Sequence, residues 1–376
     1  MGNTPELRAS TASALEENAI RIPDLTAFIG LDGFVDDIVH VVDKRHNAES
    51  FDRMKTITDL SRRLAQAAGK STNLELVSQR TKIGGNGPIM ANALSRFGVH
   101  VTYLGTLGYP SLHPVFEEFA QRAETHSINM PGHTNALEFH DGKVMASLLT
   151  PLSEVTWDLI CERFGKQQFG AKLLGCSLVG FVNWTMLPYM SRIWESVLAE
   201  ILNGKPRSHR KIFFDLADPE KRSAEDIREA LQLIGRFSEY FDVILGLNEK
   251  EAGEIGEVFG LEREDDSPAS LAKLMQGIAG NIHVESLVVH PVRYAMATAG
   301  GEVAHVEGPF IPNPVITTGA GDHFNAGFCL GQLLGLDHSG SLLCGVGTSG
   351  YYVRNGVGPE PAQLAAFLRD WPEPAA

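Results

Sequence analysis

The sequence predicts an α/β protein on a doubly wound, mostly parallel sheet, with a smaller group of antiparallel strands. Short, continuous apolar runs alternate with longer amphipathic ones. The apolar runs at Thr26–Leu31, Val101–Gly105, 177–183, Lys211–Asp215, Val243–Leu247 and 287–290 are rich in Val, Ile, Leu and Phe, as strands buried on both faces are. Helical patterns lie between them at 51–68, 88–97, 114–124, 190–202, Ala224–Phe237, 249–259 and 268–280. Two regions depart from this rhythm. Residues 34–45 and 130–150 read as short antiparallel strands, and Asp141-Gly142 is a hairpin signal. Residues 1–24 form a peripheral segment whose first twenty positions read as a peripheral or frayed helix.

Composition narrows the function. A chain of 376 residues with 43% hydrophobic and 21% charged residues is ordinary for a globular protein. A net charge of −14 argues against a nucleic-acid partner, because phosphate backbones need a basic footprint. A nucleotide substrate remains compatible, since a local nest of N–H groups and Mg²⁺ can carry its charge. The four cysteines have no metal-ligand spacing and suit reduced thiols, so a cytoplasmic location is expected. No apolar h-region opens the chain and no run of about 18 apolar residues occurs, so neither a secretory signal nor a membrane span is expected. The histidines form no H-x-x-x-H or Cys/His pair, so no structural metal is assigned.

The most informative stretch is Thr317-Thr318-Gly319-Ala320-Gly321-Asp322-His323-Phe324. Pro312 and Pro314 punctuate its approach, so Gly319 to Gly321 are expected in a loop opening a helix. N–H groups at a helix N-terminus lack intrahelical partners and can hold a phosphate or a developing oxyanion. Asp322 in the first turn can accept a proton from an attacking hydroxyl. Read without the rest of the string, an ordinary Gly-rich turn accounts for Gly-Ala-Gly-Asp about as well.

The longer string T-T-G-A-G-D-x-F-x-x-G-F resembles the C-terminal signature of the ribokinase family, the PfkB carbohydrate kinases. Gly84-Gly85-Asn86-Gly87, Ala91-Asn92-Ala93-Leu94 and Val101-Thr102-Tyr103-Leu104-Gly105 resemble its N-terminal signature, and the resemblance spans residues 25–370. It implies a ribokinase-like kinase domain whose antiparallel strands near 34–45 and 130–150 form a small β-sheet lid over the substrate. It implies ATP as co-substrate, Mg²⁺ at the phosphates, Asp322 as general base, and Gly319, Ala320 and Gly321 as anion hole with Thr318 beside them. The acceptor is a hydroxymethyl group of a sugar. A nucleoside acceptor, which Asp37-Ile38-Val39-His40-Val41-Val42-Asp43-Lys44 echoes, and a non-catalytic sensor of nucleotide or sugar are the alternatives. The resemblance also suggests pairing of lids in a homodimer.

Other positions follow. Gly85 and Asn86 are expected against a polyhydroxylated substrate, although a helix-opening turn with Pro88 at the first helical position explains the glycines too. Asp36, with Asp32 beside it, is expected to accept substrate hydroxyls; the register from Gly30 leaves Asp37 as the competitor. Asn248 and Glu251 resemble the family's N-x-x-E motif, which orders Mg²⁺ through water, but the same pair is also a helix capping box. Asp215 and Asp218 end a strand and fit either a site wall or a turn before Pro219. Three departures stand out. Ile89 sits where the family carries asparagine, so sugar recognition is altered or Asn86 substitutes. His290-Pro291 replaces a small hydroxyl residue and glycine, which points to Arg293 as a phosphate contact. Ile316 replaces the acidic residue of the family's monovalent-cation site. Gly69-Lys70-Ser71 is not a P-loop, since Leu64 stands where that motif needs glycine.

Overall fold

The structure, a computed structural model, describes residues 3–372. In chain order the first strands are β1 (Thr26–Leu31), β2 (Phe34–Arg45), β3 (Phe51–Arg53), β4 (Leu76–Gly84), β5 (His100–Gly105), β6 (Glu124–Ser127), β7 (Gly132–Phe139) and β8 (Gly142–Leu148). They are followed by β9 (Leu178–Phe181), β10 (Lys211–Asp215), β11 (Asp242–Leu247), β12 (Ser286–Val289), β13 (Tyr294–Ala299) and β14 (Glu302–Glu307). Among the described residues the large sheet runs β14-β13-β12-β11-β10-β9-β1-β5-β6. It is parallel from β12 to β6, and β13 pairs antiparallel with both β12 and β14.

Apolar residues alternate between the sheet's two faces, as a period of two requires. Phe28, Phe214, Val243 and Leu245 join the core that contains Phe181, Trp194 and Phe237. Their neighbours Ile29, Phe213 and Ile244 join the opposite core with Tyr103, Phe324, Phe328 and Leu343. Burial on both faces explains why these strands read as unbroken apolar runs.

The second sheet has five strands: β2 pairs antiparallel with β3 and β4 and, unlike the antiparallel pairing expected, parallel with β7, and β8 lies beyond β7. Asp141-Gly142 closes the β7–β8 hairpin as expected. Strand β4 was not legible in the sequence. Its residues are mostly exposed and lack apolar alternation, so its pairing with β2 alone makes it a strand. The expected helix 51–68 divides into β3 and the helix Ile57–Gln66, which starts where Thr56 and Asp59 form a capping box. The expected helix 114–124 shrinks to short turns, and β6 adds to the edge of the large sheet. The N-terminal segment is docked and not frayed: the helix Pro5–Asn18 buries Ala12 and Leu15, and Arg369 clasps Glu16.

Candidate active site

One side of the candidate site is assembled where β1 and β4 end and β2 begins, against the helix Asn86–Arg96. Gly85 caps that helix at φ 90°, and a Cβ there would stand 2.8 Å from Asp32 Oδ2, so only glycine fits. Asp32 is fully enclosed, at 0% exposure. Its carboxylate accepts from the N–H of Gly87 at 2.9 Å and from Asn183 Nδ2 at 2.7 Å, and Tyr103 donates its hydroxyl to the Asp32 carbonyl at 2.6 Å. Burial raises the Asp32 carboxyl to about 6 against these hydrogen bonds. Asp32 therefore holds the glycine turn in place. Where an aspartate open to substrate hydroxyls was expected, the carboxylate is enclosed and each of its oxygens accepts from a protein donor.

Strand alternation turns Asp36 and Asp37, the two candidates for the substrate hydroxyls, to opposite faces. Asp36 points inward against Gly84 and lies 3.9 Å from Lys82 Nζ, its partner across the β2–β4 register. Asp37 points the other way, to Thr81 and to His133 at 3.1 Å. Burial raises the Asp36 carboxyl and depresses the Lys82 ammonium, and each charge partly offsets the other's shift. Sequence reading missed Lys82, because nothing in its neighbours marks β4 as a strand.

Asp322 sits in the first turn of the helix Ala320–Leu333. It is 7% exposed and its Oδ1 accepts from Asn86 Nδ2 at 3.0 Å. Burial pushes its carboxyl up to about 8, the Asn86 bond and the Lys82 charge pull it down, and the Asp32 charge adds to the rise. Gly319 opens the helix at φ 90°. The N–H groups of Gly319, Gly321 and Asp322 have no backbone acceptor among the described residues. The N–H of Ala320 does, since it donates to the Thr317 carbonyl at 3.1 Å, so the expected Gly319-Ala320-Gly321 nest is short of its middle donor. Ile89 is buried and packs against Gly319.

On the other side of Gly321 opens a cavity of about 340 Å³, lined by His290, Pro291, Phe310, Ala320, Gly321 and Phe324 among others. The His290 ring lies 4.7 Å from that of Phe324, and burial lowers its pKa to about 4, so it is neutral. Arg293 was expected as a phosphate contact. It is exposed, its guanidinium lies 3.8 Å from the Phe310 ring centroid, and it does not line the cavity. Thr318 turns its carbonyl to the Tyr352 hydroxyl at 2.8 Å.

Asn248 and Glu251 form the capping box that the spacing allowed, with Asn248 at the cavity wall. The carboxylate of Glu251 accepts from the N–H groups of Asn248 at 2.8 Å and Asp218 at 3.0 Å. Nearby, Asp215 accepts from Asn325 Nδ2 and from the Ala217 N–H, each at 2.9 Å. Burial first, then the mutual repulsion of Asp215 with Glu251 and Asp322, holds the Asp215 carboxyl well above the usual range. Among the described residues no group of three His, Cys, Asp or Glu side chains could ligate a metal directly. The unneutralised carboxylates at the ends of β10 and β11 fit Mg²⁺ held through water, with Asn248 and Glu251 as the outer partners.

The model of the prokaryotic ketohexokinase family matches residues 6–371. A ketohexokinase from Haloferax volcanii is 27% identical over 349 residues, 92% of each chain. Among solved structures, ribokinase from Thermotoga maritima aligns with a TM-score of 0.60 at 15% identity over 92% of this chain and 99% of its own. The Arabidopsis thaliana ribokinase complexed with ribose and ATP gives 0.61 at 14% over 92% and 98%. These likenesses establish a ribokinase-like fold, and the family match covers nearly the whole of it: the chain is a carbohydrate kinase and belongs to the prokaryotic ketohexokinase family.

Proposed function

We propose that this kinase transfers the γ-phosphate of ATP to a hydroxymethyl group of a ketohexose, with Asp322 as general base. The observation that carries the reading is the position of Asp322. It lies between an acceptor side built on Asp36, Lys82 and Asn86 and a cavity that ends at Ala320 and Gly321. The ketose part of the reading rests on the name of the Haloferax volcanii relative.

Asp36 and Asn86 hold sugar hydroxyls, the carboxylate by charge-assisted hydrogen bonds. The ionised Asp322 takes the proton of the attacking hydroxyl as the new O–P bond forms and the bond to the leaving ADP breaks. The free N–H groups of Gly319 and Gly321 hold the phosphoryl oxygens, helped by the positive end of the helix. Mg²⁺, when bound through Asn248 and Glu251, supplies positive charge to the triphosphate. A carboxyl poised near the working pH is a more effective base than an ordinary aspartate, and burial of Asp322 provides that.

The test is ADP formation over a panel of ketohexoses, aldohexoses, pentoses and nucleosides, with ³¹P NMR locating the phosphate on the product. Turnover on ketohexoses is expected. Turnover confined to nucleosides, or none on any acceptor with nucleotide still bound, overturns the reading.

A further inference from the structure

The residue after the base is a histidine, and neither the fold nor the chemistry above uses it. His323 is buried, at 4% exposure, and its ring stacks on that of Tyr352 at 3.6 Å between centroids and 14° between planes. The two rings face the turn that opens the helix Ala320–Leu333 and each holds one of its carbonyls. His323 Nδ1 lies 2.8 Å from the Gly319 carbonyl oxygen, and the Tyr352 hydroxyl donates to that of Thr318 at 2.8 Å. A carbonyl only accepts, so Nδ1 carries the proton and the tautomer is fixed. The far edge of the imidazole packs on Gly358, whose carbonyl accepts from Arg96 Nε at 2.8 Å, so the ring is braced from behind.

Tyr352 belongs to the helix His338–Asn355, whose last turns also grip the cavity wall. Val353 accepts from the Val315 N–H at 2.8 Å, and Arg354 donates to the Phe310 carbonyl at 3.2 Å. The segment from Phe310 to Thr318 is thus fastened at two carbonyls and one N–H by one helix end. The peptide planes whose carbonyls are taken at Thr318 and Gly319 carry the N–H groups of Gly319 and Ala320. Fixing one end of a planar peptide fixes the other.

We propose that His323 and Tyr352 are positioning residues for phosphoryl transfer, each taking one carbonyl of the Thr318–Gly319 turn: the Tyr352 bond aims the Gly319 N–H at the transferred phosphoryl group, and the His323 bond keeps the Ala320 N–H turned to the Thr317 carbonyl, the fold of the turn that leaves the next N–H, that of Gly321, free. The proposal rests on the reading of function above. Neither side chain touches the reacting atoms. Both act through the backbone, where a displacement of ~1 Å is enough to lose about 10²-fold in rate.

Tyr352→Phe removes one hydroxyl and keeps the stacked ring. His323→Phe keeps a ring and loses the Nδ1 donor, and His323→Asn returns an N–H near the Nδ1 position. For Tyr352→Phe and His323→Phe, kcat is expected to fall ~10–10²-fold with the sugar KM moved less than ~2-fold, the pattern of an interaction made in the transition state. His323→Asn is expected to recover part of the loss, and the double variant to fall by less than the product of the single losses. A second readout needs no turnover: by calorimetry, the preference for a non-hydrolysable ATP analogue over ADP should drop in the same variants. If His323→Phe fails to fold, Tyr352→Phe decides. Native kcat together with a native triphosphate preference in Tyr352→Phe overturns the proposal, as does a raised sugar KM with kcat unchanged. Asp322→Asn and the acceptor panel test the reading of function separately, since the calorimetric preference reports on the turn whether or not a sugar is phosphorylated.

Discussion

Asn86 Nδ2 donates to Asp322 Oδ1 at 3.0 Å across 236 residues of chain. This bond joins the start of the helix Asn86–Arg96 to the first turn of the helix Ala320–Leu333. It favours the ionised carboxylate, which burial disfavours, so the proton affinity of Asp322 is a balance between one hydrogen bond and a dry surrounding.

Asp322→Asn should lower turnover by at least ~10²–10⁴-fold while nucleotide binding stays measurable by calorimetry, because the carboxylate is proposed as base and not as anchor. The same variant should gain heat stability relative to the parent as pH rises. The Asp322 carboxyl has a folded-state pKa of about 8. It titrates at roughly 3.9 when unfolded, so what it contributes is fully present below that pH and is lost as pH climbs to its folded value. Melting curves at pH 5 and pH 8.5 should show a larger advantage for the variant at the higher pH. Equal advantages would refute the assignment.

In the parent enzyme kcat/KM should rise with pH along a limb near 8, the value of the free Asp322 carboxyl. Lys82→Met should move that limb to higher pH, since the ammonium helps to keep the carboxyl ionised. Asn86→Ala should move it the same way by removing the hydrogen bond. A limb that stays in place in both variants would assign the titration to another group.

Asp36→Ala should raise the sugar KM by ~10–10²-fold, the worth of one or two hydrogen bonds to a charged group, with little change in the ATP KM. Initial-rate measurements with each substrate varied in turn separate the two. Equal losses on both sides would make Asp36 the structural partner of Lys82 and no more.

Asp32→Ala should read chiefly as lost stability, of about 2–4 kcal/mol, because it strands the Gly87 N–H and the Asn183 amide in a closed site. Urea unfolding measures it. A stable variant with a weakened sugar KM would return Asp32 to the substrate.

Turnover should be indifferent to K⁺. Ile316 offers no side-chain oxygen, and a partly dehydrated cation needs several oxygen ligands. Exchange of K⁺ for a bulky organic cation at fixed ionic strength checks this, and a several-fold fall in turnover would contradict it.

What the sequence determined by itself was whatever is encoded between near neighbours. The doubly buried strands β1, β10 and β11 announced themselves as apolar runs, since burial on both faces leaves no polar alternation. The Gly-Ala-Gly-Asp helix start and the Asn248–Glu251 capping box were legible too, because their hydrogen bonds span three or four residues. Only the tertiary structure decided the rest. Strand β4 has no pattern of its own and exists by pairing with β2, and that pairing brings Lys82 to Asp36. The enclosure of Asp32 depends on Gly87, Tyr103 and Asn183, which lie 55, 71 and 151 positions away. Arg293 lies over the Phe310 ring, a stacking partner that spacing cannot reveal. The physical reason is common to all of these. Periodicity and caps arise from local geometry, whereas the burial, charge balance and hydrogen-bond partners of a side chain belong to the segments that packing brings beside it.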